Sequence, residues 1–183
     1  MKKLSIFGFI LILASCATSP VIETFSSYDR NQIAWFLVDG TGKLEGDGFL
    51  SRRDGMLVKC SGQEVGLVPV SDYAIERFTN IYGNPNGGYN TAGFGSRNVD
   101  TADPDYVNDS RTTICDVDGK FSFENLPSGE YYVFTTVIWR ISDYVNEGGV
   151  MSRRVNVEEG KTSKVSLTSV SYTHLTLPTI VRV

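Results

Sequence analysis

Between residues 118 and 133 the chain reads Asp118-Gly119-Lys120-Phe121-Ser122-Phe123-Glu124-Asn125-Leu126-Pro127-Ser128-Gly129-Glu130-Tyr131-Tyr132-Val133. Aspartate before glycine suits the positive φ of a tight turn. Past that turn, Phe121 and Phe123 fall on one face of a strand, because successive side chains point to opposite sides. Leu126 stands at the strand end, where it can plug a core, and Pro127 with Gly129 sets a corner. Tyr131 and Val133 then return inward. Two strands with one apolar face each, joined by a corner, are what a β-sandwich is built from.

Downstream, residues 130–140 carry apolar or aromatic side chains on both faces, as a central strand does. Residues 150–157, the turn Glu158-Glu159-Gly160 and residues 161–167 read as a last hairpin. Upstream, residues 111–116 read as a strand, and so do residues 64–70, with Pro69 at an end or an edge. Residues 49–53 and 56–60 flank Asp54-Gly55 as a hairpin. Residues 33–38 form a short apolar run that reads as an opening strand. Tyr73, Arg77 and Ile81, or alternatively Ala74, Phe78 and Ile81, recur at near-helical spacing behind Ser71, a candidate N-cap, so a short helix is expected over 71–82. Residues 83–110, rich in Asn, Gly and Asp, read as a long inserted loop. Eighteen glycines, nine tyrosines and ten phenylalanines favour the all-β class over a helical one.

The 118–133 stretch resembles the signature of carboxypeptidase regulatory-like domains, which are transthyretin-like (prealbumin-like) β-sandwiches with Greek-key strand order. Val155-Asn156-Val157-Glu158-Glu159-Gly160 and Val165-Ser166-Leu167 resemble that family's closing hairpin. Cys60-Ser61-Gly62-Gln63-Glu64-Val65-Gly66-Leu67-Val68-Pro69 resembles its early strand. The helix and loop at 71–110 depart from the family's short connection. The resemblance implies an all-β Greek-key sandwich over residues 31–169, with one short helix and a long loop inserted. It implies a fold more than a function, since such modules serve as accessories to catalytic domains, as spacers, or as binders of sugars or proteins.

Met1-Lys2-Lys3 precedes an apolar run that ends in Leu13-Ala14-Ser15-Cys16. Two cations before a short apolar stretch form a secretion signal over residues 1–15, too short for a spanning helix of about 20 residues. Leu13-Ala14-Ser15-Cys16 resembles a bacterial lipobox, which implies cleavage after Ser15 and lipid on the Cys16 thiol. Ala17 in place of an aspartate implies the outer membrane by resemblance to Gram-negative sorting. Residues 16–30 read as a lipidated tether. At the far end, Val170-Ser171-Tyr172-Thr173-His174-Leu175-Thr176-Leu177-Pro178-Thr179 resembles a translated sequencing adapter, so residues 170–183 are expected to be a non-native tail.

Export places Cys60 and Cys115 in an oxidising compartment, where a structural disulfide is expected; no Cys-x-x-Cys spacing supports a redox centre. The chain has 17 Lys+Arg against 21 Asp+Glu. Removing Lys2, Lys3 and Arg182 with the two ends leaves 14 against 21, a charge of −7. That argues against nucleic acid or bare anionic lipid as a partner, since both need a basic surface.

His174, inside the adapter-like tail, is the only histidine. Ser-His and Cys-His nucleophilic sites therefore lack their base, and zinc lacks its usual ligands. A transthyretin-like relative hydrolyses 5-hydroxyisourate with histidines that this chain does not offer. No cofactor is expected. Asp100, Asp103 and Asp105, with Asp109, are candidate calcium ligands, although the spacing is not that of an EF-hand; a solvated polar loop is the plainer reading. Tyr89, Phe94 and Tyr106, with Tyr82 and with Trp139 on the neighbouring strand, are candidates for an aromatic platform that stacks on a sugar or peptide. The alternative is that these rings cover the sandwich's open end. The expectation is a non-catalytic envelope lipoprotein whose sandwich binds a protein partner or serves as an accessory module. Carbohydrate binding through the loop aromatics is the alternative, and an enzyme the third reading.

Overall fold

A computed structural model of the protein describes residues 21–93, 95–143 and 145–169. The signal segment, Cys16, Phe94 and the tail with His174 lie outside the described residues. In chain order come β1 (Val21–Ile22), a 3-10 helix (Arg30–Leu37), β2 (Gly42–Ser51), β3 (Leu57–Lys59) and β4 (Glu64–Pro69). Then follow α1 (Asp72–Tyr82), β5 (Gly87–Thr91), β6 (Asn98–Val99), α2 (Pro104–Asn108) and β7 (Arg111–Ile114). The chain finishes with β8 (Lys120–Leu126), β9 (Gly129–Ser142), β10 (Val145–Val157) and β11 (Thr162–Leu167).

Two sheets face each other. One runs β5-β10-β9-β4-β7 and is antiparallel throughout. The other is centred on β2, with β11 parallel along one side, β8 antiparallel to Gly42–Asp47 and β3 antiparallel to Phe49–Ser51. The all-β sandwich expected from the sequence is the one observed. Leu44, Leu126, Tyr131, Val133, Met151 and Leu167 are fully buried between the sheets. Burying each such side chain stabilises the fold by about 1.5–3 kcal/mol, which the entropy of ordering the chain largely offsets.

The stretch from 118 to 133 behaves as its pattern requires. Phe121 and Phe123 are buried on one face of β8, and Tyr131 and Val133 face the same core from β9. The Tyr131 hydroxyl donates to the Pro127 carbonyl across 2.5 Å and holds the corner shut. β9 is central, and its residues Tyr131 to Val133 are buried on both faces. Cys60 and Cys115 form a disulfide with Cα atoms 5.8 Å apart. Cys60 lies where the chain crosses from β3 to β4 and Cys115 where it crosses from β7 to β8, so one bond ties two crossings between the sheets.

Four expectations need correction. Residues 33–38 are not a strand: 33–37 finish the 3-10 helix and Val38 is its extended C-cap. Asp29 caps it by accepting the Asn31 N–H at 2.9 Å, and Ile33 and Phe36, three residues apart, share the buried face of a three-residue turn. The last two strands are not a hairpin: β10 belongs to the larger sheet, while β11 runs parallel to β2 in the smaller one. Alternation marks a buried face, but it does not say whether the next strand pairs beside it or crosses over. Residues 83–110 are not a bare loop, since β5, β6 and α2 lie within them. Residues 21–30, expected in a tether, are bound to the domain as a strap, described next.

Candidate functional site

The outer face of the larger sheet carries a second apolar cluster. Val68 of β4 and Tyr132 of β9 point away from the sandwich core and meet Ala74 and Phe78 of α1. Phe78 stacks on Tyr132 with ring centroids 4.0 Å apart and planes 12° from parallel. The helix starts where Ser71 accepts the Ala74 N–H at 3.2 Å, and it stops at Gly83, whose φ of 72° is left-handed. Its buried face includes Tyr73, Ala74, Arg77 and Phe78, which places a guanidinium among rings.

Arg77 is satisfied there. Its Nη1 donates to Asp100 Oδ1 at 2.8 Å and its Nη2 to the Asp100 carbonyl at 2.9 Å. Asp100 also accepts from the Thr24 hydroxyl at 2.8 Å. The Thr24 hydroxyl first, with Arg77 beside it, holds the Asp100 carboxyl below the usual carboxylate range. The strap thus joins the site. β1 pairs parallel with β6, and Glu76 of α1 accepts the Phe25 and Ser26 N–H groups at 2.8 and 2.7 Å. Tyr28 donates to Asp109 at 2.8 Å, and Arg30 pairs with the same carboxylate at 2.9 Å.

Between this frame and the sheet lies a cavity of about 520 Å³. Gly66, Phe134 and Val150 line it from the sheet, and Arg77, Ile81 and Tyr82 from α1. Asn90, Arg97, Asn98, Val99 and Tyr106 close it from the inserted segment. Glu64, Ser110 and Thr112 add polar groups at the side of β4 and β7. Gly66 leaves room for the Phe134 ring: a Cβ there would stand 2.3 Å from the ring as it lies. Asn90 clasps the backbone of Arg97 in both directions, at 2.9 Å each, and so fixes the wall containing β6.

The candidates named from sequence are divided. Tyr82 and Tyr106 line the cavity, and burial raises both phenols well above their ordinary range. Tyr106 packs edge-on against Tyr28 and Tyr73, so it also pins α2. Tyr89 and Trp139 pack on the sandwich core instead, and the Tyr89 hydroxyl donates to the Gly148 carbonyl at 2.6 Å. Trp139 borders a shallow pocket of about 340 Å³ with Arg52, Arg53 and Glu147. The four rings therefore do not form one platform, and Phe94 is outside the described residues. Alternation separates them: Tyr89 and Trp139 face inward from their strands, whereas Tyr82 and Tyr106 belong to helices on the outer face.

The acidic run is dispersed too. Asp100 serves Arg77 and Thr24, Asp103 caps α2 by accepting the Asp105 N–H at 2.8 Å, and Asp109 holds Tyr28 and Arg30. Among the described residues no group of three or more His, Cys, Asp or Glu converges to hold a metal ion. Asp116, in the Asp116-Val117-Asp118-Gly119 turn, accepts the Asp118 and Lys120 N–H groups at 2.8 and 2.9 Å. The sequence reading missed Arg77, Asn90, Arg97 and Asn98 as site residues. Arg77 at helical spacing from Tyr73 was the available signal.

These features define a disulfide-linked β-sandwich with a cavity outside its core, walled by a helix and an inserted segment. No protein-family model matches the chain, and no curated protein does. Among solved structures it is similar to the crystal structure of a candidate carbohydrate-binding protein (PA1324) from Pseudomonas aeruginosa. The TM-score is 0.65 at 26% identity, over 78% of this chain and 98% of that one. A looser likeness, with a TM-score of 0.35 and 17% identity, is to the minor pilin GBS52 of Streptococcus agalactiae, over 74% of this chain and 47% of the pilin.

Proposed function

We propose that the chain is a non-catalytic, lipid-anchored envelope protein whose sandwich binds carbohydrate in the cavity on its outer face. The observation that carries this reading is the lining of that cavity. Phe134 and Tyr82 supply ring surface, while Asn90, Arg97, Asn98 and Thr112 supply hydrogen-bonding groups around it. Rings for stacking with convergent polar groups suit a sugar's alternating faces and hydroxyls, and about 520 Å³ is within the range of small-molecule sites. The likeness to a candidate carbohydrate-binding protein agrees with it. The anchor rests on Leu13-Ala14-Ser15-Cys16, and the outer membrane on Ala17. The absence of catalysis rests on residue inventory, with His174 of the tail the only histidine. Membership among carboxypeptidase regulatory-like modules is part of the same proposal.

A glycan array tests it with the parent chain, Arg97→Ala and Phe134→Ala, and with Tyr89→Phe as a control outside the cavity. Binding to at least one glycan is expected, weakened about tenfold by each cavity change, which corresponds to about 1.4 kcal/mol. It should be untouched by Tyr89→Phe. No glycan bound, or binding indifferent to both cavity changes, overturns the reading.

A protein partner is the second reading, favoured by one observation. The β2–β3 and β9–β10 hairpin ends meet through Arg53 and Glu147, 3.8 Å apart. Around them Met56, Leu57, Ile141 and Val145 are each at least half exposed. Crosslinking in the native envelope tests this reading, and recovery of lipid alone would remove it.

A further inference from the structure

The strap begins with exposed apolar residues, which are among the described residues nearest in sequence to Cys16. Val21 is 59% exposed, Ile22 37% and Phe25 86%. The backbone beneath them is fixed. Val21 and Ile22 pair with Asn98 and Val99, and the Phe25 and Ser26 N–H groups are held by Glu76. Their exposure therefore belongs to an attached segment. From Cys16 to Val21 is five residues. Even fully extended, five residues span at most about 18 Å. Whatever holds Cys16 therefore keeps Val21, where the attached strap begins, within about 20 Å once the cysteine side chain is included.

We infer that the strap face, led by Phe25 with Val21 and Ile22, seats against the lipid surface to which Cys16 is tethered. The inference rests on the lipid anchor proposed above. An apolar side chain that is already near a bilayer loses little further freedom by entering its interface, and it sheds water on doing so. Of the acids around the strap, Asp100 is neutralised by Arg77, and Glu76, though anionic, is turned to the strap's own N–H groups. Glu23, exposed between Ile22 and Thr24, stays at the level of the headgroups. Seating also fixes the height of the cavity, because Asn98 and Val99 pair with the strap and line that cavity.

The test uses the chain from Cys16 onward. Cys60 and Cys115 are bonded to each other, and the chain has three cysteines, so Cys16 is the thiol left for coupling. It is joined to a maleimide lipid in vesicles of phosphatidylcholine and phosphatidylethanolamine at about three to one, whose headgroups carry no net charge and do not repel iodide. Phe25→Trp then reports its surroundings, with emission taken as the difference from the parent, which keeps Trp35 and Trp139. Brominated acyl chains should quench position 25, and aqueous iodide should quench it at least twofold less on vesicles than in solution. Equal iodide quenching in both settings overturns the inference. So does protection that appears only together with a crosslinked dimer, which would mean that a second copy covers the face. Chemical coupling makes this result independent of the natural anchor. That anchor is read separately, by whether Cys16→Ala releases the protein from membranes in the cell.

Discussion

Arg77 of α1 and Asp100 of the inserted segment form an ion pair at 2.8 Å whose two ends differ in exposure, 8% for the arginine side chain and 34% for the aspartate. Thr24 of the strap completes the contact, so a single pair joins helix, insertion and strap. Together with the Asn90–Arg97 clasp it sets the distance of the cavity wall from the sheet.

The difference in exposure predicts a difference in cost. Asp100→Ala leaves a buried guanidinium without its carboxylate, and a loss of about 2–3 kcal/mol is expected in urea unfolding. Arg77→Met keeps the bulk beside Tyr73 and leaves a carboxylate that water can reach, so it should cost about 1 kcal/mol less. Equal losses would mean that the pair is worth no more than its packing.

The disulfide should be worth more than any single contact. It closes a loop with a sequence separation of 55 between Cys60 and Cys115. In the chain-entropy model a loop of that length stabilises by about 4 kcal/mol. Cys60→Ala with Cys115→Ala should lower stability by that order, and non-reducing peptide mapping of the parent should recover the two half-cystine peptides joined. Two alkylatable thiols in the folded parent would remove the bond.

The sandwich was legible because its signals are local. Phe121 and Phe123, the Pro127 to Gly129 corner and the two-faced β9 each declare themselves within a few residues. Ser71 as a cap was legible for the same reason. The parts that were not legible depend on distant partners. β11 looks alike beside β10 or beside β2, and only the three-dimensional crossing decides. The 21–30 segment is polar enough for a tether, yet Thr24, Tyr28 and Arg30 find Asp100 and Asp109 far along the chain. The aromatic candidates could be named but not sorted, because Tyr89 and Tyr106 differ in the face they occupy and not in residue type.

Acid should free the strap before it opens the sandwich. Hydrogen bonds from Ser26 and Phe25 hold the Glu76 carboxyl below its ordinary range, and Thr24 with Arg77 does the same for Asp100. A carboxylate whose pKa is lower folded than unfolded contributes in full above its unfolded value, about 4, and loses that contribution as pH falls through the folded value. Hydrogen exchange at the Phe25 and Ser26 amides, corrected for intrinsic rates, should therefore accelerate below about pH 4. Amides of β4 and β9 should stay protected over that range. Glu76→Gln should weaken the pH dependence of the two amides, and protection unchanged down to pH 2.5 in the parent would refute this account of the strap.

Gly66→Ala separates the cavity from the core that supports it. A methyl group there would meet the Phe134 ring at 2.3 Å, with no backbone atom closer. The ring borders the open space of the cavity, so it can turn into that space without disturbing the inter-sheet core of Val65 and Leu67 on the opposite face of β4. Alanine in a central strand also loses less backbone entropy than glycine. Stability is therefore expected to change by no more than about 1 kcal/mol. The ring would occupy the place reserved for a ligand, so binding of any glycan that the parent recognises should fall at least tenfold. A variant that keeps full affinity at parent-like stability would move the ligand out of this cavity, and a variant that loses several kcal/mol would show that Phe134 has nowhere to turn.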